Sequence, residues 1–122
     1  MGLFSRLFRS EPRPAERPDD RECVLVHLDG TSLPDDVYQR CDVMTLSEQL
    51  GEALERQALG EYDGDEQGPA ETTLFMYGSD AERLFNGIEA ILRAYPLCQN
   101  ARVVIRRGPL GAPERELRLP RA

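Results

Sequence analysis

The sequence predicts an α+β domain built on an antiparallel sheet. Three observations point there: apolar side chains alternate with a period of two in several short segments, two longer segments carry apolar stripes at helical spacing, and the segments follow one another as strand, helix, strand, strand, helix, strand. At 122 residues with an ordinary apolar fraction of 40%, the chain suits one domain with a single modest core.

The segment ECVLVHLDG, Glu22 to Gly30, reads as the first strand and ends in an Asp-Gly turn, with Val24, Val26 and Leu28 on one face and Cys23, Leu25 and His27 on the other. Residues 31–44, with Pro34 and two acids close behind it, read as irregular. A helix is announced by Thr45 with Glu48 three places on, the spacing of a capping box, and Leu46, Leu50, Ala53 and Leu54 make its apolar stripe. Gly60 stands where a C-terminal cap belongs.

The next stretch, GEYDGDEQGPAETTL, places acids at alternate positions before a glycine, as a calcium loop does. Measured against an EF-hand loop, Asp63, Asp65, Gln67 and Gly68 occupy positions 1, 3, 5 and 6, but the bidentate carboxylate required at position 12 is replaced by Leu74. The TTLFMY run beyond it has the composition of a strand, not of a second helix. The stretch therefore reads as a hairpin: Gly60 to Glu66 as an outer strand, Gln67 to Ala70 as the turn, and Glu71 to Tyr77 as a central strand. No metal site is expected.

Ser79 and Glu82 repeat the capping-box spacing, and Leu84, Phe85, Ile88, Ile91, Leu92 and Tyr95 form a stripe ending at Pro96. ARVVIRR gives a further strand, and ERELRL, with Leu117 and Leu119 alternating with charge, gives an edge strand. This order is that of the split βαβ, or ferredoxin-like, plan, with two helices on one face of an antiparallel sheet and an added C-terminal strand. The expected division is a head and Pro-rich linker over residues 1–21 and the ferredoxin-like domain over residues 22–122.

The segments GEYDGDEQG, MYGSDAERLF and PLCQNARVVIRRG also resemble a set of small uncharacterised bacterial proteins with the pattern GExDGxE, a hydrophobic strand, YGxDAxxLF and a final strand ending in Arg and Gly. The likeness spans Gly60 to Gly108. It implies the same fold and carries no activity.

Charge is unevenly distributed. Residues 1–28 hold five Arg and five acids, residues 29–92 three Arg and fifteen acids, and residues 93–122 seven Arg and two acids, giving 0, −12 and +5. The acidic middle repels phosphate, which disfavours a nucleic-acid partner, and attracts a basic protein. Every basic residue apart from His27 is Arg, a composition that hints at a bacterium with GC-rich DNA. Cys23, Cys41 and Cys98 are far apart with no C-x-x-C pair, so neither a zinc site nor a disulfide framework is indicated; Cys23 and Cys98 fit as small hydrophobes in a reducing cytosol.

No G-x-S-x-G, P-loop or dinucleotide glycine pattern is present. The one histidine, His27, shares a strand face with Asp29; a catalytic arrangement would pair it with Asp29 or with a nucleophile such as Thr31, Ser32 or Cys41, and the competing enzyme or ligand-sensor reading centres on His27, Asp29, Asp63 and Asp65. A lone histidine near a strand end is far more often a sheet-face residue. The leading expectation is a non-catalytic, immunity-like interaction or regulatory module without cofactor. It would use the sheet face that the helices leave free, occupied either by Thr73, Phe75 and Tyr77 or by Leu74 and Met76 together with one side of the first strand, to bind a basic protein or a second copy of the chain.

Leu3, Phe4, Leu7 and Phe8 lie on one side of a helical projection, with Arg6 and Arg9 off it. The segment suits an amphipathic turn or two touching a membrane surface or a partner, and equally plain disorder; Arg6 interrupts any secretory signal and occupies the position where a myristoylation signal needs Ser or Thr. Docking on a membrane would be reversible and would need anionic lipid, because each basic residue adds only about 1 kcal/mol near the surface. Liposome sedimentation checks it: a docking head carries the full chain down with anionic vesicles, and a version starting at Asp20 stays in the supernatant.

Overall fold

The computed structural model describes residues 21–109 and 111–120. The expected head, including Leu3, Phe4, Leu7 and Phe8, lies outside the described residues. In chain order the elements are β1 (Glu22–Asp29), α1 (Asp35–Arg40), α2 (Val43–Arg56), β2 (Glu61–Gln67), β3 (Glu71–Gly78), α3 (Ala81–Ala94), a 3₁₀ turn (Pro96–Cys98), β4 (Arg102–Arg106) and β5 (Glu114–Arg118). The strands form one sheet in the order β2-β3-β1-β4-β5, and every neighbouring pair is antiparallel. The fold is α+β, with a five-stranded antiparallel sheet and three helices.

Strand β1 lies at the centre and is paired on both sides, to β3 and to β4. Its alternation sorts the sheet into two faces, as the sequence predicts. Val24, Val26 and Leu28 join Leu74 and Met76 of β3 and Val103 and Ile105 of β4 in a core closed by Leu46, Leu50 and Leu54 of α2 and Leu84, Ile88 and Leu92 of α3. All of these are at most 2 % exposed. Burying a side chain of this size contributes about 1.5–3 kcal/mol, so this one face accounts for most of the apolar driving force.

Residues 31–44, expected to be irregular, contain the short helix α1, which follows Pro34 and buries Val37. Proline fixes its own φ and needs no N–H at a helix start, so a residue that reads as a loop signal here opens a turn of helix. The phenol of Tyr38 ties that helix to β1: its hydroxyl donates to the Asp29 carbonyl at 2.8 Å and accepts from the Leu33 N–H at 3.2 Å.

Both helix starts lie earlier or later than the capping-box spacing implies. Asp42, not Thr45, caps α2, accepting from the Thr45 N–H at 2.7 Å. Asp80, not Ser79, caps α3, accepting from the Glu82 and Arg83 N–H groups at 3.1 Å each. In each case an Asp within three residues of the expected Ser or Thr signal takes the cap, its carboxylate accepting from the free N–H groups of the first turn.

The end of α2 also differs from expectation. The left-handed residue that reverses the chain is Ala58, at φ 55°, with the Leu59 N–H bonded to the Leu54 carbonyl at 3.0 Å and the Ala58 N–H to the Glu55 carbonyl at 3.2 Å, a Schellman arrangement. Gly60 serves a different purpose. A Cβ there would stand 2.1 Å from the Tyr77 carbonyl oxygen, so glycine lets the start of β2 approach β3.

Ala58 holds a conformation that costs an L-residue about 1 kcal/mol. Ala58→Gly is expected to raise stability by roughly that amount, seen as a higher urea midpoint at unchanged slope. Gly60→Ala, two positions on, is expected to lower the midpoint.

Candidate functional site

The second face of the sheet is covered by none of the described helices. Strand registers arrange it in three rows running across all five strands. The middle row is Gly64, Phe75, Leu25, Val104 and Glu116, with three apolar side chains at its centre. One flanking row is Glu61, Tyr77, Cys23, Arg106 and Glu114; the other is Glu66, Thr73, His27, Arg102 and Arg118. Leu25, Phe75 and Tyr77 are half-buried. An apolar strip between two polar rows is the anatomy of a docking surface, where the strip loses water on binding and the rim stays wet.

The polar rows are internally ordered. The Arg21 guanidinium lies over the Tyr77 ring, 5.4 Å from its centroid, and its Nη2 is 3.4 Å from the Glu61 carboxylate. Burial raises the Tyr77 phenol above its ordinary value. In the other row the Arg102 Nη2 donates to Glu71 at 2.8 Å, and its Nη1 lies 3.7 Å from Glu116. The Arg102 hydrogen bond, acting against a smaller burial effect, lowers the Glu71 carboxyl below the usual range. These contacts lay the charged side chains along the face, where Val104 and Cys23 are buried and Leu25 and Phe75 are half-buried.

His27 belongs to this row as a sheet-face residue. Its Nδ1 is hydrogen-bonded to the Thr73 hydroxyl at 2.9 Å and lies 3.8 Å from Glu71. Burial lowers its pKa from 6.5, the nearby Arg102 lowers it further, and Glu71 and Glu116 oppose the shift. The imidazole is therefore held neutral near pH 7.

Asp29, though on the same strand face, is committed elsewhere. Its carboxylate accepts from the Thr31 and Ser32 N–H groups at 3.0 Å each, from the Ser32 hydroxyl, and from the Asn100 amide at 2.7 Å. Burial works against the charged form, but these donors outweigh it and hold the carboxyl far below the usual range. Asp29 thus pins the turn after β1 to the loop before β4.

The other two carboxylates expected near His27 are on β2, with β3 lying between the two strands. Two strand spacings separate them by roughly 10 Å. Asp63 sits where the β2 register shifts, between Tyr62 and Gly64. Asp65 is paired with Leu74, whose side chain is in the core, so Asp65 stands on the helix side of the sheet. The structure brings Phe75, Tyr77 and His27 to one face and does not bring His27, Asp63 and Asp65 to one point. Among the described residues no group of three His, Cys, Asp or Glu side chains is placed to hold a metal ion.

A cavity of about 480 Å³ opens at the end of β1, lined by Asp29, Tyr38, Cys41, Asp42, Glu71 and neighbours. Its three carboxylates already have partners: Asp29 in its turn, Asp42 at the cap of α2 and Glu71 on Arg102. Arg21, Glu71 and Arg102, which order the sheet face, escape sequence reasoning. Alternation within RVVIR puts Arg102, Val104 and Arg106 on one side, but nothing local says that His27 and Glu71 face them.

Comparison of the chain with protein-family models, with curated proteins and with solved structures finds no match.

The lowered His27 pKa gives a signed prediction. Above 6.5 residue 27 is neutral in both folded and unfolded chains; between 6.5 and the lower folded value only the unfolded chain takes the proton. Stability is therefore expected to fall as pH drops below 6.5, before the carboxylates titrate. Urea unfolding across this window should show the loss in the natural chain and a flatter profile in His27→Gln.

Proposed function

We propose that this protein is a small non-catalytic interaction module that binds a basic protein partner, regulating or neutralising it in the bacterial cytosol as immunity proteins do. The observation that carries this reading is the helix-free sheet face: Phe75, Leu25 and Val104 form an apolar strip, and the edge strand beside it, β2, contributes Glu61 and Glu66 to the flanking rows and has no basic residue. An apolar centre with an acidic strand at one edge favours a partner with an apolar anchor and cationic groups facing that edge.

The outer face of α2 adds to this field. Glu48, Glu52 and Glu55 are exposed, and the helix-borne ion pairs among the described residues lie elsewhere, at Arg40–Asp36, Arg93–Glu89 and Arg115–Glu82. Unneutralised carboxylates steer a cationic partner over distances of about a Debye length, roughly 8–10 Å at physiological salt.

A ferredoxin-like plan is part of the proposal. The order β2-β3-β1-β4 is the one a split βαβ arrangement gives when each helical crossover passes over a strand, and β5 extends it at the β4 edge. The competing reading, a ligand sensor or enzyme using His27, needs His27, Asp63 and Asp65 to converge. The intervening β3 and the opposite facing of Asp65 favour the interaction module.

The test is affinity capture from the host lysate with the full chain and with Phe75→Asp as baits, at low and high salt. The expected result is a basic protein retained by the natural chain, held roughly tenfold more weakly at high salt, and lost on the variant. Capture of nothing, or of a partner equally well held by the correctly folded variant, overturns the reading.

A further inference from the structure

The two edges of the sheet are built differently. At one edge, β2 carries four acids and no base, and its ladder is broken by a register shift between Tyr62 and Gly64, where Gly64 has φ 113°. Two such edges repel each other, and the bulge spoils a continuous ladder, both recognised ways of keeping an edge unpaired. At the other edge, β5 is regular: its five residues pair with β4 without a shift, and none of them is proline.

The direction of the β5 backbone groups follows from its bonds to the inner side. The Leu119 N–H donates to the Ala101 carbonyl, the Leu119 carbonyl accepts from the Asn100 N–H, and the Pro113 carbonyl accepts from the Arg107 N–H. Odd-numbered residues therefore face β4, and in a regular antiparallel ladder the N–H and C=O groups of Glu114, Glu116 and Arg118 point outward. Glu114, Glu116 and Arg118 are also exposed in their side chains. Pro120 carries no N–H and ends the outward ladder on that side.

We propose that a second copy of this chain pairs with the β5 edge, strand to antiparallel strand about a two-fold axis at Leu117, so that two sheets join into one. In this register Glu116 lies opposite the second copy's Arg118, and Arg118 opposite the second copy's Glu116. Both pairs fall in the hydrogen-bonded positions. Leu117, half-buried on the helix side, meets its own symmetry mate at the close, non-hydrogen-bonded position. Shifting the axis to Glu116 would place that carboxylate directly opposite itself, which is unfavourable, so charge selects the register. Both charged side chains are already oriented from behind: Glu116 lies 3.7 Å from the Arg102 Nη1, and the Arg118 Nη1 donates to the Asn100 carbonyl at 3.1 Å. The pairing is isologous and closes at two copies, because the opposite edge of each sheet is the acid-rich, bulged β2.

This pairing stands on the β5 edge alone and does not depend on the basic partner proposed for the sheet face. A ladder this short falls at the small end of specific interfaces, so association is weak and concentration-dependent.

Sedimentation equilibrium of the full chain from about 10 µM to about 1 mM measures it, a range suited to an interface of that class. The expected result is a monomer–dimer equilibrium. Glu116→Pro, which removes an outward N–H without touching the bonds to β4, should weaken it at least roughly tenfold. Glu116→Arg and Arg118→Glu each place like charges opposite one another and should each be monomeric alone, while an equimolar mixture of the two should dimerise, since every facing pair is then opposite in sign. Circular dichroism establishes that each variant folds. A natural chain that stays monomeric at about 1 mM overturns the proposal. So does a folded Glu116→Pro chain that associates as before, or a mixture that fails to associate. Because the mixing arm reads charge on β5 alone, its outcome is separate from whether Phe75 binds a partner.

Discussion

The alternation of side chains along β1 is the constraint on which the rest of this structure depends. As the central strand it is bonded on both sides, so its register fixes that of β3 and β4 at once. A slip of one residue would send Val24, Val26 and Leu28 to the face away from the helices and bring Cys23, Leu25 and His27 beneath them. The core would exchange three aliphatic side chains for a set that includes an imidazole. That penalty locks the sheet, and the locked sheet gives the three transverse rows of the second face their composition.

Once the rows are fixed, the distribution of charge acquires meaning. Arg102 and Arg21 lie along the face and pair with Glu71, Glu116 and Glu61, while among the described residues the acids on the outside of α2 have no ion-pair partner. A −12 segment and a +5 segment are not simply separated in space; part of one offsets part of the other across β1, β3, β4 and β5. Exposed pairs of this kind contribute little stability each, about 0–1 kcal/mol, and their effect is to set which side chains stand upright and which lie flat.

The tyrosines show the same economy at the joints between elements. Tyr38 ties α1 to the end of β1, Tyr62 meets the Ser47 hydroxyl of α2 at 2.7 Å, and Tyr95 both donates to and accepts from the backbone of Asp42. Each ring packs against the core while its hydroxyl reaches a polar group at the rim. The helices are thereby held over one face of the sheet only.

The sequence by itself determined the elements whose physics is local. Short apolar runs located β1 and β4, alternation with charge located β5, strand-like composition located β3, the helical stripes located α2 and α3, and the missing carboxylate at Leu74 turned an apparent calcium loop into the hairpin seen at β2 and β3. Helix ends were less legible because several residues compete for the same role: Asp42 and Asp80 displaced Thr45 and Ser79 as caps, and Ala58 took the left-handed position for which Gly60 was the expected choice. Only the tertiary structure decided the candidate site. Its rows are made by pairing residues 46 positions apart, as at His27 and Thr73, and 31 apart, as at Glu71 and Arg102. Such registers are set by the summed burial of whole strands, not by any short motif, so His27 could be assigned a face from its own strand but not its neighbours. The same long-range pairing separated His27 from Asp63 and Asp65, and it left β2 and β5 as edges with opposite capacities for pairing.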